Sequence, residues 1–109
     1  MTNYLFIESR DPFESSDTQF VAETAIDLRR RGNEVTVFLI QNGVLAARRN
    51  ARGSHLAALA EAGVTLLADD FSLLERGIEP AELVPGLQRS NIDALVDALV
   101  GEQTKVIWH

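Results

Sequence analysis

The chain has 109 residues, with 10 lysines and arginines against 16 aspartates and glutamates, and a formal net charge of −6 at pH 7. That length suits one domain over residues 1–109, since domains commonly run to about 100–150 residues. The acidic balance argues against nucleic acid as a partner, because binding to phosphates depends on basic side chains. The chain has no cysteine, which excludes disulfides, thiolate metal sites and a cysteine nucleophile.

The apolar segments are all short. They fall well below the roughly 20 residues that a membrane-spanning helix needs, so no membrane association is expected. The chain enters its first apolar run without a basic segment, and no signal peptide is predicted. Together with the lack of cysteine, these features predict a cytoplasmic protein.

The first part of the chain predicts two buried strands separated by a helix. Residues 4–7 form a continuous apolar run, which is typical of a strand buried on both faces. Ser16 or Asp17 caps the following helix, which has a basic last turn and ends at Gly32. Residues 35–40 are rich in β-branched side chains and predict the second strand.

A helical turn and a further helix precede the third predicted strand. The turn covers residues 44–47, and Ser54 then caps a helix that ends at Gly63. Residues 64–68 are mainly aliphatic and predict the third strand.

Short helical segments follow the third strand. Asp69 or Asp70 caps a helix that ends before Gly77. Pro80 suits the first position of a helical turn, which we predict at residues 80–83.

The last part of the chain predicts one more helix and a terminal strand. Ser90 begins the helix, with Asp93 completing an approximate capping box, and the strand covers residues 105–108. Strands alternating with helices predict an α/β fold with a doubly wound, mostly parallel sheet of about five strands and helices on both faces.

Ligands of such folds bind beyond the carboxyl ends of the strands. Chemistry is therefore expected in residues 8–17, 41–52 and 69–72. Asp69 and Asp70 form the most suggestive pair, since adjacent carboxylates can bind a metal or perform acid–base work. The simpler alternative is that one of them caps the next helix while the other is solvated.

Other polar residues give weaker signals. Arg48, Arg49 and Arg52 suit either an anion site or a solvated loop. His55 is expected on the surface of its helix, and His109, the last residue, is expected to be frayed. The two histidines do not form a metal-binding spacing, so no metal site is expected.

Several catalytic motifs are absent. No glycine-rich nucleotide-binding loop follows the first strand, and no cofactor is expected. A response-regulator interpretation fails because Lys105 begins its strand instead of ending it. No Gly-x-Ser-x-Gly elbow surrounds the candidate serines Ser9, Ser15, Ser16 and Ser72. No catalytic residue is therefore assigned.

The order and spacing of three segments resemble a known family. They are Arg-Arg-Gly-Asn-Glu-Val at residues 30–35, the strand running into Gly43 and Val44, and Arg-Gly-Ile at residues 76–78. This pattern resembles the DsrE/DsrF/TusD-like sulfur-relay family, with the YchN-like fold, over nearly the whole chain. The resemblance implies a doubly wound parallel sheet assembled into trimers or hexamers.

The resemblance also implies a persulfide-carrying cysteine just after the third strand. Asp69 falls closest to that place, and a carboxylate cannot become a persulfide. The chain is therefore expected to be a non-catalytic subunit, or a module whose pocket binds a small ligand through Asn42, Asp69 and Asp70. A metal- or cofactor-assisted enzyme using the aspartate pair is a further alternative, but no third ligand is evident.

Assembly is expected either as a homo-oligomer or as a hetero-oligomer with relatives of the same family. A chain of this length buries only about two-thirds of its surface, so some apolar side chains need not be covered. Val44, Leu45 and Trp108 are candidates for such exposure. Tryptophan is enriched at protein interfaces, and a place in the core is the equally weighted alternative for Trp108.

Overall fold

The computed structural model describes residues 2–11, 17–49, 51, 55–101 and 103–109. Within these residues the strands are β1 (Asn3–Glu8), β2 (Glu34–Leu39), β3 (Thr65–Asp69), β4 (Leu87–Ser90) and β5 (Thr104–Trp108). The α-helices are α1 (Asp17–Arg30), α2 (Leu56–Glu61), α3 (Asp70–Glu75) and α4 (Ile92–Leu99). Two 3₁₀ segments cover Gln41–Ala47 and Pro80–Glu82. They include most of the helical turns predicted at residues 44–47 and 80–83.

The described strands form one parallel sheet in the order β4-β3-β2-β1-β5. The chain moves in one direction from β1 to β4 and then crosses to the other side of β1 to form β5. The order therefore reverses between β1 and β5, which makes their carboxyl ends the switch point of the fold.

Helices cover both faces of the sheet, as predicted, but unequally. Side chains from α1, α2 and α3 join the larger core on one face, where Phe6, Val37 and Leu39 are buried. On the other face, α4 is the helix that packs over a smaller core. That core consists of Leu5, Ile7, Phe38, Ile40 and Leu95.

Two details of the last part of the chain differ from the prediction. Residues 87–90 form β4, and Ser90 is its last residue, so Ser90 does not cap α4. Asn91 is the N-cap: its Oδ1 accepts a hydrogen bond from the Ala94 N–H at 2.8 Å. The capping box predicted from Ser90 and Asp93 is therefore wrong. The alternative caps Ser16 and Ser54 lie outside the described residues.

The three apolar residues expected near the surface differ in burial. Val44 is fully buried in the larger core, so its predicted exposure is wrong, and Leu45 is partly buried against the same core. Trp108 is 64% exposed.

The 3₁₀ segment carrying Val44 approaches β1 closely: a Cβ on Gly43 would lie 2.1 Å from the Glu8 carbonyl oxygen.

Candidate functional site

The carboxylate of Asp69 acts as a helix cap. The residue is 4% exposed and ends β3 with extended backbone angles. Its Oδ2 accepts hydrogen bonds from the Ser72 N–H at 3.0 Å and from the Ser72 hydroxyl at 2.8 Å. The Ser72 Oγ in turn accepts from the Gln41 N–H at 2.9 Å. One carboxylate thereby joins the end of β3, the start of α3 and the segment after β2.

The neighbouring carboxylate has a different setting. Asp70 is exposed, and its Oδ1 lies 3.6 Å from the Arg89 Nε of β4. The simpler alternative from the sequence is therefore confirmed, since Asp69 caps α3 while Asp70 faces solvent. Among the described residues, no group of three or more histidines and carboxylates is placed to hold a metal ion.

Asn42 joins the capping group through an arginine. Its Oδ1 accepts from Arg76 Nη2 at 3.1 Å and from Nε at 3.3 Å. Arg76 Nη1 also donates to the Ser72 carbonyl oxygen at 3.2 Å. We call Asp69, Ser72, Gln41, Arg76 and Asn42 the cap cluster. Binding of a ligand by Asn42, Asp69 and Asp70 stays a prediction; the partners described for them lie within the chain.

The basic segment after the first 3₁₀ turn forms contacts with backbone carbonyls. Arg48 Nε donates to the Leu45 carbonyl oxygen at 3.0 Å. Arg49 Nε donates to that of Leu83 at 3.2 Å. Arg52 lies outside the described residues. The two described arginines thus tie their segment to its surroundings.

Sequence reasoning missed a contact at the switch point between the buried Glu8 and the half-buried His109. His109 Nδ1 lies 2.8 Å from both carboxylate oxygens of Glu8. The His109 N–H donates to the Ile7 carbonyl oxygen, while the Ser9 N–H and hydroxyl both donate to the His109 carbonyl oxygen. The expectation that His109 is frayed is therefore wrong.

The other nitrogen of this imidazole faces α1. His109 Nε2 is buried and has no hydrogen-bond partner among the described residues. It lies 3.9 Å from Asp17 Oδ2. Glu8 and His109 are 101 positions apart, so only the pairing of β1 with β5 could have revealed this contact.

A parallel sheet whose strand order reverses once, with helices on both faces, defines a doubly wound α/β protein. The model of the DsrE/DsrF-like family matches residues 2–108, and the chain belongs to that family. No curated protein matches the sequence. In the part of the chain that the structure describes, no helix has the length and apolar character to cross a membrane.

Two solved structures are similar over their whole length. The ychN protein from E. coli shares 19% identity, with a TM-score of 0.89 and 100% of both chains covered. A protein of unknown function from Methanobacterium thermoautotrophicum, MTH1491, also shares 19% identity, with a TM-score of 0.85 and 100% of both chains covered. At this identity the likeness shows the fold.

Proposed function

We propose that this chain is a non-catalytic subunit of a DsrE-type assembly related to sulfur relay. The observation that carries the proposal is the role of Asp69, the residue nearest the place of the persulfide cysteine that the family resemblance implies. Its carboxylate is buried and accepts two hydrogen bonds from Ser72.

Sulfur relay requires a thiolate that attacks a donor sulfur and later releases it. The chain has no cysteine, and the carboxylate of Asp69 performs a structural role at this position. This chain accordingly contributes surfaces to an assembly, and a cysteine-bearing relative would carry the sulfur.

An apolar surface supports the role as a subunit. In α4, six of the eight residues are apolar, yet only Leu95 is buried. A helix with so many apolar residues can bury only part of them against one face of a sheet. The large exposed apolar residues of this helix and its end are Ile92, Val96, Leu99 and Val100.

The neighbouring edge strand extends this surface. Val106 pairs with Leu5 and Trp108 pairs with Ile7, and both partners belong to the core under α4. Paired residues of neighbouring strands share one side of a sheet, so Val106 and Trp108 face the α4 side. We call Ile92, Val96, Leu99, Val100, Val106 and Trp108 the α4–β5 face. An exposed apolar face of this kind marks a protein interface.

The proposal is tested by measuring absolute mass in solution with light scattering. Because the chain has a mass of 12.0 kDa, a trimer or hexamer is expected at about three or six times this value. Exchanging Val100 and Trp108 for serine together should shift the mass toward the monomer, since both are among the most exposed apolar side chains of the face.

Phe20→Ser is the matched control. Phe20 is 69% exposed but belongs to α1, which packs on the opposite face of the sheet. Its replacement should leave the mass unchanged. A second arm mixes the chain with a cysteine-bearing family member from the same genome. A monomer that also forms no complex with that relative would contradict the proposal.

A further inference from the structure

A small cavity lies beside the switch point, between the sheet and two helices. It encloses about 40 Å³. Its walls are apolar: Val21 and Ala22 come from α1, Leu56 and Leu59 from α2, and Leu39 from β2. All five are buried. Since a water-sized group needs about 10–15 Å³, the cavity has room for about three such groups.

The mouth of the cavity is polar and carries two basic side chains, Arg10 and His55. Glu8, Arg10, Thr18 and His55 line it. The Glu8 carboxylate already accepts from His109 Nδ1 and from the Arg10 N–H at 3.0 Å. Arg10 is exposed. Within the part of the chain that the structure describes, no side-chain hydrogen bond or ion pair engages the Arg10 guanidinium or the His55 ring.

The two parts of the cavity define the ligand by its chemistry. The apolar walls offer no hydrogen bonds, so the buried portion of a ligand must be hydrocarbon. The open guanidinium at the mouth favours a carboxylate, which it can bind with two parallel hydrogen bonds. The cavity has room for about three water-sized groups, which matches the three carbon atoms of a propyl chain.

We propose that this cavity binds a short-chain aliphatic carboxylate of about the size of butyrate, with the chain between α1 and α2 and the head at Arg10. The position agrees with the topology, because ligands of doubly wound sheets bind outside the carboxyl ends of the strands next to the switch point. The site goes beyond the proposed role as a subunit and does not depend on it.

The test is a titration of the whole chain with butyrate, followed through the backbone amide signals in nuclear magnetic resonance. Saturable shifts are expected at Thr18, Val21 and Leu56, with a dissociation constant of the order of 1 mM, as suits so small a ligand. Butylamine has the same number of carbon atoms and the opposite charge, and it should cause no saturable shift.

Variants separate binding in the cavity from general charge effects. Arg10→Gln should weaken butyrate about tenfold or more, because the paired guanidinium is lost. Arg30→Gln is the matched control: Arg30 is exposed at the end of α1 and does not line the cavity, so affinity should not change. Ala22→Val adds two methyl groups to the cavity wall and should abolish the shifts.

Three results would overturn the proposal. One is the absence of saturable shifts with butyrate. Another is binding of butylamine as tightly as butyrate. The third is an equal loss of affinity in Arg10→Gln and Arg30→Gln. Because Arg10 is exposed, its replacement should leave the fold intact. The affinity of Arg10→Gln for butyrate therefore tests the proposal even if Ala22→Val perturbs the packing of the core.

Discussion

Replacing Asp69 by alanine should destabilise the fold more than any change at the adjacent carboxylate. The substitution removes the acceptor of both Ser72 hydrogen bonds, and both residues are 4% exposed. Water therefore cannot readily replace the lost acceptor. The segment after β2 should also lose stability, because the Ser72 hydroxyl accepts a hydrogen bond from the Gln41 N–H.

The magnitude follows from two contributions. Loss of an aspartate N-cap costs about 0.5–2 kcal/mol, and a buried donor left without a partner costs about 1–3 kcal/mol. Since these overlap at the Ser72 N–H, we expect Asp69→Ala to lower the free energy of unfolding by about 2–4 kcal/mol. Asp69→Asn keeps an acceptor oxygen and should lower it by about 1 kcal/mol.

Urea unfolding followed by far-ultraviolet circular dichroism measures these changes. At a fixed protein concentration, Asp69→Ala should lower the midpoint by about 1.5–3 M, given a slope near 1.3 kcal/mol per molar urea. Asp70→Ala is the control, because Asp70 is exposed and meets Arg89 only at 3.6 Å. It should change stability by less than about 0.5 kcal/mol. Equal effects of the two alanine substitutions would refute the assignment of Asp69 as the buried cap.

Three further substitutions test the ends of the strands by the same unfolding assay. Gly43→Ala should cost about 2 kcal/mol or more, because the new Cβ would lie 2.1 Å from the Glu8 carbonyl oxygen; a cost below about 0.5 kcal/mol would contradict this close approach. His109→Ala should cost about 1–3 kcal/mol, since it leaves the buried Glu8 carboxylate without its imidazole partner. A stable variant with unchanged amide exchange in β5 would contradict that role. Arg76→Gln should cost only about 0.5–1 kcal/mol, because its bonds to Asn42 are solvent-exposed, and a larger loss would show that they are stronger than their exposure implies.

The strands with the strongest local signals could be predicted from the sequence. β1, β2 and β3 are continuous apolar or β-branched runs, and parallel pairing buries them on both faces. β4 has the sequence Leu-Gln-Arg-Ser, with one apolar side chain. Among the described strands it lies at the edge of the sheet and has β3 as its one partner. Its conformation depends on that partner, so no local pattern predicts it.

The start of α4 shows how tertiary pairing decides between adjacent signals. Ser90 and Asn91 are both good N-cap residues. The pairing of Ser90 with Asp69 extends β4 through Ser90, which leaves Asn91 to cap the helix. The choice required knowledge of the sheet register.

The candidate site was predicted only where its contacts are local. Asp69 and Ser72 are three positions apart, and a cap of this spacing is visible in the sequence. Glu8 and His109 meet because β1 pairs with β5. The cavity beside them requires α1 and α2 to pack on β2, and it is not encoded in any single segment.

The cap at Asp69 also constrains how this chain could acquire sulfur chemistry. A thiol at position 69 is a weak acceptor, so it would leave the Ser72 N–H and hydroxyl without their charged partner. Introducing a cysteine at position 69 would therefore call for a second change at Ser72, whose hydroxyl also accepts the hydrogen bond of the Gln41 N–H. Under the proposed function, a structural carboxylate stands nearest the place that the family resemblance implies for the persulfide cysteine. The two proposals accordingly place function elsewhere, at the α4–β5 face and at the cavity beside the switch point.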